Sequence, residues 1–369
     1  MLSKTISLFI PNLRGGGAER VMTHLANGLL THGYHVHMLL SEKVGTYLTD
    51  LQPAVRVIDL HARTVRASII PLMRYLLRER PDVLVSAMDY VNVGALLAKR
   101  LARVSTRVIA TVHMTHSQAA AHHRNIHFAI VRAAIRWTYS WADAIVAVSQ
   151  GAAEDMIRHS HIPRKLVHVI YNPVITPHLE SLACEPLEHP WFVENAPHVI
   201  IAIGRLTAQK DFPTLLRAAA RLRKSIDFRL LILGEGEERS KLEKMVVELE
   251  LTNVVSLPGF VKNPFAYLSR ASLFVLSSAW EALPTVLIEA LALGVPIVST
   301  DCPSGPSEIL VNGKYGRLVS VGNVEALADA MQKSLSSPRL SIPENALESF
   351  SLDGATNKYV ELLELLTAS

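Results

Sequence analysis

Cysteine is the scarcest chemistry-bearing residue: Cys184 and Cys302 are the two in 369 residues. Two thiols make no disulfide framework, and such sparing use points to a reducing compartment such as the cytoplasm. No apolar run approaches the roughly 20 residues that cross a bilayer. The apolar stretch inside MLSKTISLFIP is only about six residues, shorter than the core of a secretory signal. There is no short internal repeat and no low-complexity tail. Excess charge is also modest. Lys+Arg 37 against Asp+Glu 33 leaves +4, with a pI near 9.0. That balance does not argue for a nucleic-acid partner, and it suits an anionic small ligand or an anionic membrane face. The histidines, among them His35/His37, His122/His123/His127 and His159/His161, come without the acids or cysteines that make a metal site. No Asp-x-Asp pair is present to carry a metal-bound diphosphate.

What is present reads as α/β. The chain is long for one domain, and 49% apolar residues suffice for two cores. Strand-like runs fall at Thr5–Pro11, His35–Leu40, Asp82–Ser86, Arg107–His113 and Asp143–Ser149, with helical stretches between them. A second set falls at His198–Gly204, Phe228–Leu233, Asn253–Phe260, Leu273–Ser278 and Pro296–Thr300. Alternation of this kind predicts parallel, doubly wound sheets. Such sheets bind ligands beyond the carboxyl ends of their strands. Between the sets, Pro173 to Pro197 carries five prolines and reads as a linker. Expected domains are 1–172 and 198–356, with final helices at Val324–Leu335 and Asn357–Leu366. Asn312–Gly316 reads as a hairpin turn.

The first strand runs into Gly15-Gly16-Gly17-Ala18-Glu19-Arg20 and then a helix. The dinucleotide fingerprint fails, because Arg20 stands where its third glycine belongs, and no Walker lysine follows. Gly16 and Gly17 still let a diphosphate approach backbone amides; a plain tight turn with Glu19 in the first helical turn is the alternative. His113 and Ser149 each close a strand and so point into the ligand crevice, with His116 as an alternative to His113. Gly204-Arg205-Leu206 ends the sixth strand and Lys210 follows. A guanidinium and an ammonium there suit a diphosphate, or are two solvated bases at a loop edge. Gly234 ends the next strand.

The most informative stretch is Trp280–Gly294, WEALPTVLIEALALG. Glu281 lies in a loop, and Pro284 suits the start of a helix. Thr285 to Leu293 forms that helix, and Gly294 stops it. The amides near Pro284, Thr285, Val286 and Leu287 make an anion site. Glu289 sits among apolar neighbours. It either lines a narrow solvent stripe or accepts hydrogen bonds from ligand hydroxyls such as a ribose diol. Glu281 either complements the helix dipole or holds sugar hydroxyls.

This E-x7-E pattern resembles the signature of glycosyltransferase family 4. So do Gly16-Gly17-x-Glu19, Gly204-Arg205-Leu206-x-x-x-Lys210, the Asn172-Pro173-Val174 hinge, and Gly305-Pro-Ser-Glu308-Ile. Together they cover nearly the whole chain in the family's order. Ala282 departs from the family's usual glycine. The resemblance implies a GT-B fold, α/β with two Rossmann-like domains facing a central cleft, whose last helix returns to the first domain. It implies metal-independent transfer, with retention, of a hexose or N-acetylhexosamine from a nucleotide sugar, UDP favoured over GDP. In that reading His113, Glu281, Arg205 and Lys210 are catalytic. Gly16, Gly17, Glu19, Ser149, Asn172, Gly204, Gly234, Gly259, Phe260, Pro284, Thr285, Val286, Leu287, Glu289 and Glu308 bind substrate, with the Gly259–Phe260 turn near the base. The segment CPSGPSEIL is most like members acting on lipid-linked oligosaccharides. The alternatives are a nucleotide-sugar epimerase or phosphorylase of the same fold, or a non-catalytic nucleotide-binding protein.

Two segments read as ordinary packed helices or as basic amphipathic surfaces resting on anionic lipid. One is Ile69, Leu72, Met73, Leu76 and Leu77 with Arg74 and Arg78, where Pro71 suggests a kink or a late start. The other is His122–Trp141. The second option predicts peripheral attachment to the inner face of the cytoplasmic membrane, beside a polyprenyl-diphosphate-linked acceptor.

Overall fold

The computed structural model describes residues 4–118, 126–160, 162–337, 339 and 341–368. The chain divides into two compact units, residues 1–174 with 348–369, and residues 175–347.

The first unit carries a seven-stranded parallel sheet in the order β3-β2-β1-β4-β5-β6-β7. Its strands are β1 Thr5–Ile10, β2 His35–Leu40, β3 Arg56–Asp59, β4 Val83–Ala87, β5 Arg107–Val112, β6 Ala144–Ala147 and β7 Val167–Val169. The central strands are near-continuous apolar runs because helices cover both faces. β4 is buried at every position. The edge strands β3 and β7 were not expected from the sequence. They are short and only partly buried, so they lack the long apolar run that marks a central strand. One face packs against helices α2 (Val65–Glu79) and α3 (Asp89–Ala102) through Leu72, Leu76, Val91 and Ala95. Thr64 caps α2 by accepting from the Ala67 amide, so the helix starts ahead of Pro71. The other face packs against α1 (Gly17–Thr31) and the last helix, Leu352–Thr367, through Leu25, Leu29, Tyr359 and Leu363. Among the described part of the His122–Trp141 segment, helix α4 spans Ile126–Thr138; His122, His123 and Arg124 lie outside the described residues, as does His161.

The second unit carries a six-stranded parallel sheet, β10-β9-β8-β11-β12-β13. The strands are β8 His198–Ile203, β9 Phe228–Leu233, β10 Val255–Gly259, β11 Leu273–Leu276, β12 Ile297–Thr300 and β13 Arg317–Val319. Of the proline-rich stretch, Pro177–Ala183 is a helix of this unit. Asn263 donates to Leu182 O at 2.8 Å and Ser269 to Ala183 O at 3.0 Å, tying it down. The expected hairpin at Asn312–Gly316 is not one. β13 pairs in parallel with β12. Val311, Asn312 and Gly313 take positive φ to leave the short helix Pro306–Ile309. An Asn-Gly pair supplies left-handed backbone for either purpose, which is why the local signal misled.

Candidate active site

In each sheet the strand order reverses at one point: between β1 and β4 in the first, and between β8 and β11 in the second. Open α/β sheets form their ligand crevices at such points.

At the second, the loop after β8 meets the loop after β11. Gly204 is small because the Lys210 stem lies over it; a Cβ there would come within 2.9 Å of Lys210 Cε. Lys210 Nζ donates to Glu281 Oε1 at 2.5 Å. Ser278 Oγ donates to the same oxygen at 2.7 Å, and Gln209 Nε2 to Glu281 Oε2 at 3.3 Å. The backbone is stitched as well. The Ala279 amide donates to Gln209 O at 2.8 Å, Ser277 Oγ to Lys210 O at 2.7 Å, and Gln209 Nε2 to Trp280 O at 3.0 Å. Glu281, 7% exposed, is therefore a buried carboxylate matched by a cation and two neutral donors, the condition under which burial is tolerated. Arg205, by contrast, is exposed. Beneath the loop, burial first and then the Glu281 charge push the Cys302 thiol up to about 12, so it stays protonated and unreactive.

Helix Thr285–Ala292 follows, with Pro284 at its cap position. The Leu287 amide is already bonded to Pro284 O at 3.0 Å. The first-turn amides of Thr285 and Val286 are therefore the donors this helix start offers. Pro284 itself contributes shape. Glu289, 4% exposed, lies on the buried side of that helix, which removes the solvent-stripe alternative. Gly234 has φ 144°, and a Cβ on it would fall 2.0 Å from Gly204 O; its smallness lets the β8 and β9 loops touch. Gly259 is buried beside Phe260, which is 79% exposed. Glu308 lies in the short helix Pro306–Ile309.

At the β1/β4 point, Gly16 caps α1 and Gly17 begins it. A Cβ at Gly16 would meet Glu19 Oε2 at 2.1 Å, whereas one at Gly17 would meet nothing within 4 Å. Packing therefore does not require glycine at 17. Met88, between β4 and α3, has φ 81°, a strained conformation of the kind that collects at functional sites. His113 follows β5, and its Nε2 lies 3.1 Å from Thr111 Oγ1. Burial pushes it down to about 4, against an upward pull from Asp89, so it is neutral at pH 7. His116 is buried, with Nε2 3.1 Å from Asp89 Oδ2, an ion contact, and Nδ1 2.9 Å from Ser160 Oγ. Burial alone would lower His116, but Asp89 outweighs it and raises it. For Asp89, burial works upward, and His116 with the Tyr139 hydroxyl, 2.7 Å away, brings it below its ordinary range. His116 is thus spent inside the unit. Ser149 is fully buried and its Oγ accepts from the Ala152 amide at 3.1 Å, which makes it a helix cap. Asn172 is buried after β7.

Sequence reasoning missed Gln209, Ser278 and Asp89. Ser278 had a signal, a polar residue closing an apolar run three positions before a glutamate. Asp89 had none, since its partners are distant in sequence.

Comparisons with known proteins bear on the family and the fold. A model for Glycosyltransferase Family 4 matches residues 15–177, and one for Glycosyl transferases group 1 matches residues 189–348. An uncharacterized glycosyltransferase of Methanocaldococcus jannaschii is 33% identical over 63% of this chain, a match that spans 58% of that protein. The Campylobacter jejuni N-acetylgalactosamine-N,N'-diacetylbacillosaminyl-diphospho-undecaprenol 4-alpha-N-acetylgalactosaminyltransferase is 28% identical over 91% of each chain. In fold, the chain matches the crystal structure of Anabaena HepE in complex with UDP and glucose, with a TM-score of 0.76 and 18% identity over 97% of this chain and 99% of that one. The motif order, the two parallel sheets and the two family models together place this chain in family 4 of the glycosyltransferases, enzymes that transfer a sugar from a nucleotide sugar.

Proposed function

We propose that the protein moves a hexosyl or N-acetylhexosaminyl group from a UDP-sugar to a hydroxyl of a polyprenyl-diphosphate-linked saccharide, with retention at the anomeric carbon, in surface-glycan assembly. The observation that carries the donor side is the pair of half-buried Lys210 and buried Glu281 at the β8/β11 switch point, with Arg205 exposed beside it. Departure of a nucleoside diphosphate leaves negative charge behind and an oxocarbenium-like sugar. Arg205, Lys210 and the Thr285 and Val286 amides stabilise that charge without having to reorganise. One such preorganised donor is worth about 2.7–4 kcal/mol. Glu281, fixed through Oε1 by Lys210 and Ser278 and through Oε2 by Gln209, grips sugar hydroxyls with its remaining lone pairs, and Glu289 holds the ribose. In the first unit the Gly16–Gly17 turn and His113 serve the transferred sugar and its surroundings.

The acceptor assignment draws on the Campylobacter relative, whose name specifies an undecaprenyl-diphosphate-linked glycan, and on the surface of α4. There Ile130 is 61% and Trp137 78% exposed, and Arg132 and Arg136 are exposed too. Apolar and basic side chains on one helix suit an anionic lipid interface. Among the described residues no helix is long and apolar enough to cross a membrane, so attachment at such a surface is peripheral in this reading.

The test is thermal stabilisation by UDP, GDP, ADP and their sugars with a chelator present, followed by transfer to an undecaprenyl-diphosphate-linked saccharide. A ligand that binds only the folded state raises its stability. Selective stabilisation by UDP compounds, with transfer, is expected. Equal response to all bases removes the UDP assignment, and transfer only to a free sugar removes the lipid-linked acceptor. Trp137→Ala with Ile130→Ala should release the protein from anionic vesicles, and raised salt should do the same.

A further inference from the structure

Resting on that reading, the structure assigns His113 one tautomer: its proton sits on Nε2, held there by Thr111, which leaves Nδ1 bare, so that a sugar group meeting that nitrogen is a hydroxyl that donates to it.

The assignment follows from counting protons along a buried chain. Thr111 is fully buried, and its Oγ1 lies 2.9 Å from the carbonyl oxygen of Ser86 and 3.1 Å from His113 Nε2. A carbonyl oxygen only accepts, and a threonine hydroxyl has one proton. That proton goes to Ser86 O; otherwise two oxygens would face each other's lone pairs at 2.9 Å in a buried place. Thr111 Oγ1 is then an acceptor toward the histidine, so Nε2 carries the hydrogen. In a neutral imidazole the other nitrogen is bare.

The neighbouring hydrogen bonds occupy the groups around Thr111. Ser86 Oγ donates to Asn92 Oδ1 at 2.7 Å, and Asn92 Nδ2 donates to Thr111 O at 2.8 Å. The second bond sets the amide's orientation, because Thr111 O can only accept. Asn92 Nδ2 also donates to the Tyr139 hydroxyl at 2.9 Å, which in turn donates to Asp89 Oδ1. Asp89, the nearby negative charge, has its other oxygen against His116. The carboxylate that would draw a second proton onto His113 is thus already matched by His116 and Tyr139. Burial holds His113 at about 4.

The consequence is chemical. A bare Nδ1 accepts. It fits a sugar hydroxyl and mismatches a carbonyl or an ether oxygen. It offers no positive charge to a phosphate at neutral pH. His113 therefore positions a hydroxyl, and Thr111 positions His113.

Nuclear magnetic resonance of the ligand-free full chain, labelled with ¹⁵N at histidine, reads the tautomer directly, and loss of one ring's signals in H113N identifies it. The expected spectrum shows a protonated Nε2 and a bare Nδ1, unchanged from pH 8 to pH 5.5. A proton on Nδ1, or a doubly protonated ring at pH 7, overturns the assignment. Thr111→Val should release the ring into a mixture of tautomers, and Thr111→Ser should keep the single one. An unchanged pattern in the valine variant, or its loss in the serine variant, removes Thr111 as the lock; if the valine variant does not fold, the serine variant still decides. In turnover, the Asn amide oxygen can take the place of Nδ1, whereas Gln reproduces only the Nε2 side. H113Q should lose about tenfold more kcat/KM than H113N, the scale of one hydrogen bond. Equal losses would count against an accepting Nδ1. The spectrum needs no donor, so an inactive wild-type protein would sink the transferase reading and leave the tautomer standing.

Discussion

At the β8/β11 switch point a lysine and a glutamate meet at 2.5 Å, with an arginine exposed beside them. At the β1/β4 point the ion pair, Asp89 and His116, is buried and closed in by Tyr139 and Ser160. Beside it stand a neutral histidine, His113, and a glycine turn with Glu19 in the first turn of the helix it opens. The same topology thus carries an ion pair held between two loops in one unit and an ion pair closed in by a tyrosine and a serine in the other. A parallel sheet supplies the place, and the loops decide what chemistry stands there.

The contrast breaks most visibly at Lys210. Lys210→Met leaves Glu281 buried without its cation, and breaking a buried pair costs about 3–5 kcal/mol. We expect a lower urea midpoint and turnover reduced by about a thousandfold, the upper range for one preorganised donor. Near-normal kcat per folded molecule would mean the pair is structural, like its counterpart in the first unit. Arg205→Ala should separate the two properties. The side chain is exposed, so its loss should move stability by no more than about 0.5 kcal/mol. Turnover should fall by about a hundredfold; unchanged turnover would remove Arg205 from the diphosphate site.

Asp89→Asn is the mirror experiment. It removes the charge facing His116 and should cost about 3 kcal/mol, seen as a lower unfolding midpoint. UDP affinity should stay within about twofold, because the residues proposed for the ribose and for the departing diphosphate lie in the other unit. A large loss of UDP binding with intact stability would place Asp89 in the donor site. Gly17→Ala is gentler. A Cβ there meets open space, and alanine favours a helix start that glycine opposes by up to about 1 kcal/mol. Stability should hold or rise while KM rises about tenfold. Unchanged kinetics would reduce Gly17 to a plain turn residue.

How much of this was legible in the sequence differs between the units for the same reason. The second site is built from loop residues beside their own strands, so Gly204, Arg205, Lys210 and Glu281 carry a local pattern. Ser278 lies three residues from Glu281 and Gln209 adjoins Lys210, yet neither has chemistry that announces a role until Glu281 is seen to need donors. In the first unit Asp89 meets Tyr139 fifty positions away, and His116 meets Ser160 forty-four away. Only the fold brings them together. His113 and His116 looked interchangeable because both follow one strand; three residues of loop leave one half-buried beside Thr111 and bury the other against Asp89 and Ser160. Central strands such as His35–Leu40 and Phe228–Leu233 read correctly because burial on both faces demands apolar runs. The edge strands Arg56–Asp59 and Val167–Val169 are under no such demand.

A last contrast separates these two histidines by pH. His116 is raised above 6.5 in the folded protein, so its stabilisation is complete below pH 6.5 and fades as pH rises through its folded pKa. Asp89 is lowered below 3.8, so its share is present above that value and lost as pH falls through its folded pKa. The pair is therefore strongest between about pH 4 and 6.5. His113, pushed down to about 4, acts in the opposite direction. Below pH 6.5 the unfolded chain takes a proton that the folded one refuses, and stability drains at up to about 1.4 kcal/mol per pH unit. His113→Asn abolishes that drain. Urea midpoints of wild type and H113N at pH 7.5, 6 and 5 should converge or cross in favour of the variant as pH falls. A constant gap would mean that His113 titrates alike in the folded and unfolded chain, and burial would then not be what keeps it neutral below pH 6.5.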